Sequence, residues 1–192
     1  MLLTIAATLL AAASPASGAQ LVPLGVQAPA QQSGQPIPSY EETLARIGEN
    51  DARLFWSFFE GCDPDAAATL LHPDFRMLHD RGGLVVSSGE QMIEQSRRQC
   101  AARAPGGENE GYRNRRMFVP GSRKVQLLGS WGALEEGYHT FLEWRGEERG
   151  WVQTGGARYI NTWQWMPGEA QFRLLESISV DHGAPPPYPP EG

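Results

Sequence analysis

The chain has 192 residues, enough for one domain with tails, and 41% hydrophobic against 20% charged residues is a globular balance. A formal net charge of −6 argues against nucleic acid and anionic membrane surfaces, which both call for clustered Lys and Arg. The densest basic group, Arg113, Arg115 and Arg116, lies beside an acidic loop and reads as a solvated strand start rather than an anion site.

The N-terminus reads MLLTIAATLLAAASPASGAQ. Leu2 to Ala13 is uncharged and apolar but too short to span a bilayer. Ser17 and Ala19 supply small residues at the spacing of a signal peptidase site, before Gln20. No Lys or Arg precedes the run, so either the start is misplaced or the α-amino group is its only positive charge. The pattern predicts a signal peptide over 1–19 and an exported protein, periplasmic or secreted, with no stable membrane insertion after signal removal. Residues 20–39 hold Gln, Pro, Ser and Gly without an apolar period and read as a linker. Of the 15 prolines, five precede residue 40 and five follow 184, whereas all six tryptophans lie between Trp56 and Trp165. The folded domain is therefore placed at 40–183, with 184–192 a Pro-rich disordered tail.

Ser39-Tyr40-Glu41-Glu42 is a capping-box pattern that opens a helix. Leu44, Ile47, Leu54, Phe55 and Phe58 keep its inner spacing, and Gly61 ends it. Asp63-Pro64 starts a short second helix, which Pro73 stops. FRMLHD follows as a strand with Phe75, Met77 and His79 on one face, and Gly82-Gly83 turns it into LVVSS. Ser88-Gly89-Glu90-Gln91 caps another helix through about Arg103, with Met92, Ile93, Ser96 and Cys100 inward. Four alternating stretches then follow, at about 115–128, 132–145, 151–165 and 171–181, and predict long antiparallel strands. Helices first and strands later give an α+β layout, a curved sheet wrapped over a few helices.

Two cysteines in an oxidising compartment suggest a Cys62–Cys100 disulfide. It would close a loop of 38 residues, worth roughly 4 kcal/mol in the chain-entropy model. The alternatives are two buried thiols or a reactive Cys, but no His–Cys spacing suggests a nucleophile and two cysteines alone make a poor metal site.

The motifs His-Asp-Arg-Gly-Gly at 79–83, Val-Pro-Gly-Ser at 119–122, Gly-Tyr-His-Thr-Phe at 137–141 and Ser-Val-Asp-His at 179–182 stand in order. Together with the element order they resemble the cone-shaped nuclear transport factor 2-like superfamily. More narrowly they resemble a bacterial, often exported, SnoaL-like branch that is a domain of unknown function. That branch commonly shows His-Asp-Lys-Gly-Gly, Gly-x-His-x-Phe and Ser-Tyr-Asp-His. Arg81 stands here for the usual Lys, Val180 for Tyr, and Asn161 where His is frequent. The resemblance covers about 50–183. It implies an antiparallel roll, also called cystatin-like, with a deep pocket between sheet and helices. Relatives include isomerases, cyclases and dehydratases that transfer protons with a carboxylate or His-Asp pair, and others that bind without catalysis.

His79 and His139 sit on strand faces able to point into such a pocket, and one of Asp181 and His182 must do so by alternation. Acid/base catalysis would use His79 or His139 as base, with Asp181 or Asp80 orienting it. Asp80 reads more simply as part of the turn with Gly82 and Gly83. Trp56, Met77, Phe141, Tyr159, Asn161, Trp163 and His182 are the candidate ligand contacts. Such chemistry needs no cofactor, and no H-x-H or H-x-x-E-H pattern points to a metal. The expected partner is a small, largely apolar molecule of unknown identity. A homodimer or a protein-docking face through the open sheet stays open.

Overall fold

The computed structural model describes residues 35–183. The signal peptide, most of the linker and the Pro-rich tail read from the sequence lie outside these residues.

Three helices come early: α1 (Tyr40–Phe58), α2 (Pro64–Ala68) and α3 (Gly89–Arg103). At α1 the Ser39 hydroxyl accepts the Glu42 N–H while the Glu42 carboxylate accepts the Ser39 N–H, so two otherwise orphaned donors are satisfied. Its inner stripe is Thr43, Ile47, Asp51 and Leu54, so Leu44, read as inner, is instead exposed. Asp63 caps α2 and Ser88 caps α3. The sulfurs of Cys62 and Cys100 are bonded and tie the end of α1 to α3.

The strands are β1 (Leu71–His79), β2 (Gly83–Val86), β3 (Asn114–Phe118), β4 (Lys124–Leu128), β5 (Gly132–Trp144), β6 (Trp151–Met166) and β7 (Gln171–Gly183). They form one curved, unclosed sheet in the order β2-β1-β7-β6-β5-β3, with β4 also paired to β5. β5, β6 and β7 are an antiparallel meander, and β1 runs parallel to β7. The first of the long stretches expected is two strands, because Val119-Pro120-Gly121-Ser122 breaks it. Pro120 cannot donate to a ladder and Gly121 has φ +80°. Pro73 lies inside β1 rather than ending α2, in the irregular stretch between the Leu71 and Arg76 pairings with β7.

Ile47 and Leu54 of α1, Ile93 of α3, and Phe75, Trp163, Trp165, Phe172 and Leu174 of the sheet make the apolar core. Two bulges in β7 decide what else faces it. Thr162 pairs with Glu176 but Trp163 with Leu174, so Leu175 is extra. Arg158 pairs with Val180 but Gly156 with Gly183, so Asp181 and His182 oppose Ala157 alone. Asp181 takes the left-handed conformation, φ +56°, at this second bulge.

Candidate functional site

A cavity of about 480 Å³ lies between the sheet and helices α1 and α3. Its apolar wall includes Phe55, Phe58, Phe75, Met77, Met92 and Phe141. Its polar wall includes His79, Gln95, Ser96, His139, Tyr159, Ser179 and His182. Six residues read from the sequence as catalytic or ligand contacts therefore meet there: Met77, His79, His139, Phe141, Tyr159 and His182.

Four others do not. Trp56 is 53% exposed and borders a separate cleft beside the disulfide, with Tyr112, Arg113 and Trp151. Asn161 and Trp163 are fully buried on the same sheet face as Tyr159, but the space over them is filled by a polar cluster. Asp181, read as a catalytic residue, points to the outer side and pairs with Arg158, Oδ2 to Nε 3.2 Å. The second bulge is the reason Asp181 faces outward. Ser177 and Ser179 face inward, strict alternation would bring in Asp181, and the extra residue brings in His182 instead.

The acidic partner is Asp80. Rather than capping its own turn, its carboxylate reaches across to β7, accepting the His182 N–H at 3.2 Å and bonding His182 Nδ1 at 2.7 Å. A carboxylate only accepts, so the shared proton belongs to Nδ1 and the lone pair to Nε2. Nε2 lies 3.2 Å from Ser179 Oγ. Burial works to raise the Asp80 pKa, but the backbone and ring bonds from His182 outweigh it and hold the carboxyl below its ordinary value. The turn itself closes through Gly82 N–H to His79 C=O, with Gly83 at φ +66°, where a side chain would be strained.

His79 stacks on His182, ring centroids 4.0 Å apart. Its Nδ1 accepts the Arg81 N–H at 3.1 Å, so neutral His79 carries its proton on Nε2. Desolvation, then His182 and Arg81, lower its pKa, against the pull of Asp80. His79, Asp80 and His182 bring three ligand-type atoms within 4.8 Å of one another. Both Nδ1 atoms are already engaged, and the Arg81 guanidinium bonds the His182 carbonyl close by, so the set is not arranged to favour a cation.

His139 is governed by residues that were not among the candidate site residues of the sequence. Arg116 donates from Nε to His139 Nδ1 at 2.8 Å and from Nη1 to Asp51 at 2.8 Å. Arg123 joins the same Asp51 oxygen to Glu135, both at 2.8 Å. The fully buried Glu135 also accepts from Tyr159 O–H, Asn161 Nδ2 and Trp163 Nε1. Two carboxylates and two guanidiniums thus sit together against the sheet's inner face. Burial, then the nearby Asp51, push the Glu135 pKa up. Arg116, read as part of a solvated strand start, is buried in this cluster over the Phe55 ring.

With Nδ1 accepting from Arg116, His139 must hold its proton on Nε2. Desolvation, then the charge of Arg116, then His182, push its pKa down to about 2. Nε2 is buried and has no hydrogen-bond partner among the described residues. His139 is therefore a fixed neutral donor and not a base, because its only lone pair is taken.

This arrangement stands on a nuclear transport factor 2-like α+β fold, also called cystatin-like. A nuclear transport factor 2-like superfamily protein from Salmonella enterica aligns with TM-score 0.56 and 17% identity, over 80% of this chain and 99% of that one. Aln2 from a Streptomyces species aligns with TM-score 0.57 and 15% identity, over 75% and 93%. A protein of unknown function with a cystatin-like fold from Nostoc punctiforme aligns with TM-score 0.50 and 16% identity, over 76% and 93%. At such identities the likeness is one of fold. No protein-family model and no curated protein sequence matches the chain.

Proposed function

We propose that this is an exported protein whose cavity binds a small, mainly apolar molecule carrying one acceptor oxygen, such as a carbonyl. The observation that carries the reading is the buried His139 Nε2–H, without a partner among the described residues, on a ring that lines a cavity with largely aromatic walls. A buried donor without a partner costs roughly 1–3 kcal/mol, which a ligand oxygen would recover. The volume is of the size that small-molecule sites have. Export is supported by the N-terminal apolar run and by the disulfide; no helix among the described residues is long and apolar enough to cross a membrane.

The test is titration calorimetry with cyclododecanone against cyclododecane. The ketone is expected to bind about tenfold tighter, the worth of one hydrogen bond. Equal affinities would remove the role given to His139. Mass analysis of secreted material, reading the mature N-terminus, checks export.

A second reading is cofactor-independent acid/base catalysis in the same cavity, favoured by the Asp80–His182 pair. The roles differ from those read in the sequence. His182 takes the proton, Asp80 orients it, and His139 donates to the substrate oxygen.

A further inference from the structure

We propose that Ser179 is a nucleophile activated by His182 and Asp80, and that the cavity accepts a small carboxylic ester whose acyl group is transferred to Ser179 Oγ. This rests on the reading that the cavity takes a small apolar ligand with an acceptor oxygen.

Asp80 Oδ1 holds the His182 Nδ1 proton at 2.7 Å, and His182 Nε2 faces Ser179 Oγ at 3.2 Å. That contact is foreign to a regular strand, where residues three apart point to opposite faces. Here it exists because Asp181 occupies the left-handed region at the bulge. Such a conformation is uncommon in a non-glycine residue and persists where its surroundings enforce it. Three features enforce it here: the Asp80 bonds to the His182 ring and N–H, the His79 ring stacked on His182, and the Arg81 guanidinium on the His182 carbonyl. A histidine needed only to fill space at a strand end would require none of them. Ser179 is 4% exposed, lines the cavity, and makes no other side-chain bond than the one to His182 among those described.

The step balances with groups present and water. Ser179 Oγ adds to the ester carbonyl carbon as its proton passes to His182 Nε2. The ester C–O bond breaks, and the leaving alkoxide takes that proton. Water, deprotonated by His182, then releases the acid and restores Ser179. Two cavity-lining residues, His139 and Ser96, carry buried donors, Nε2–H and O–H, that have no partner among the described residues and are the candidates to meet the carbonyl oxygen as it gains charge.

The experiment treats the mature chain with an alkyl fluorophosphonate, following intact mass and mapping the adduct, with cyclododecanone binding measured on the same samples. One adduct per chain on Ser179 is expected, absent in Ser179→Ala and slowed at least about 100-fold in Asp80→Asn and His182→Gln. Ketone binding retained by Ser179→Ala shows that its cavity is intact. No adduct on wild-type protein that still binds the ketone overturns the nucleophile and leaves the binding reading standing. So does an adduct on another residue, or a rate indifferent to Asp80→Asn. An adduct without ketone binding upholds Ser179 and overturns the ketone reading.

Discussion

Replacing His139 by Gln should flatten the dependence of stability on pH. In the folded chain the imidazole pKa lies at about 2, against 6.5 for the free side chain. The folded pKa is depressed, so the unfolded chain takes up the proton first as pH falls. The stability tied to this group is present above pH 6.5 and is lost progressively below it. Each unit of pH below that point costs about 1.4 kcal/mol, so the loss between pH 7 and 5 is about 2 kcal/mol. Because His139 is only 4% exposed, solvent does little to screen the effect. In His139→Gln the amide oxygen can still accept from Arg116, and nothing titrates at the position. The measurement is urea unfolding of both proteins at pH 7 and pH 5. Wild type should lose about 2 kcal/mol more than the variant, while His79, His182 and the carboxylates are common to both and largely cancel. An equal loss, or an NMR titration of His139 near pH 6.5, would show that Arg116 does not hold its Nδ1 lone pair in solution.

Other perturbations test the surrounding structure. Asp51→Ala leaves Arg116 and Arg123 without their shared carboxylate and should destabilise the chain by about 3–5 kcal/mol in urea unfolding. A methyl at Gly137 would stand 2.7 Å from the Tyr159 hydroxyl and 3.0 Å from the ring carbon that carries it, so Gly137→Ala should cost about 1–3 kcal/mol, and only part of that should return in the double variant with Tyr159→Phe, read by a double-mutant cycle. Reducing Cys62–Cys100 opens a 38-residue loop and should lower stability by about 4 kcal/mol, read as the difference between oxidised and reduced unfolding curves. At the β7 bulge, Asp181→Gly should leave the melting temperature nearly unchanged, whereas Asp181→Val, β-branched at φ +56°, should lower it clearly.

The helices were legible because their ends are chemical. Ser39, Asp63 and Ser88 each meet a backbone N–H from a fixed distance along the chain. The disulfide was legible from compartment and count. The sheet was legible as alternation, and alternation failed where β7 contains an extra residue. Nothing local in Ser-Val-Asp-His marks the bulge, because neither Val nor Asp demands a left-handed φ; the cross-strand bonds from Asp80 and Arg81 stabilise it. The buried cluster was half legible. Glu135 lies between Ala133 and Gly137 on the strand face that was assigned to His139, so an inward carboxylate followed from the same alternation. Asp51 likewise keeps the inner spacing of Ile47 and Leu54. What period alone cannot supply is the pair of arginines, 65 and 72 residues from Asp51 in sequence, that make both positions tolerable.

The cluster and the cavity are one device. The buried charges on the sheet's inner face fix Arg116, and Arg116 turns His139 from an acid/base group into a donor. The ring with a lone pair to offer is then on the other wall, where Asp80 sets the tautomer of His182. The two histidines are thereby assigned opposite behaviour by their second neighbours. Asp80 leaves His182 a lone pair at Nε2, while Arg116 leaves His139 a proton there. A ligand oxygen seated on His139 would therefore find a proton donor on one side and a proton acceptor on the other. That division follows from Asp51 and Asp80, neither of which needs to touch the ligand.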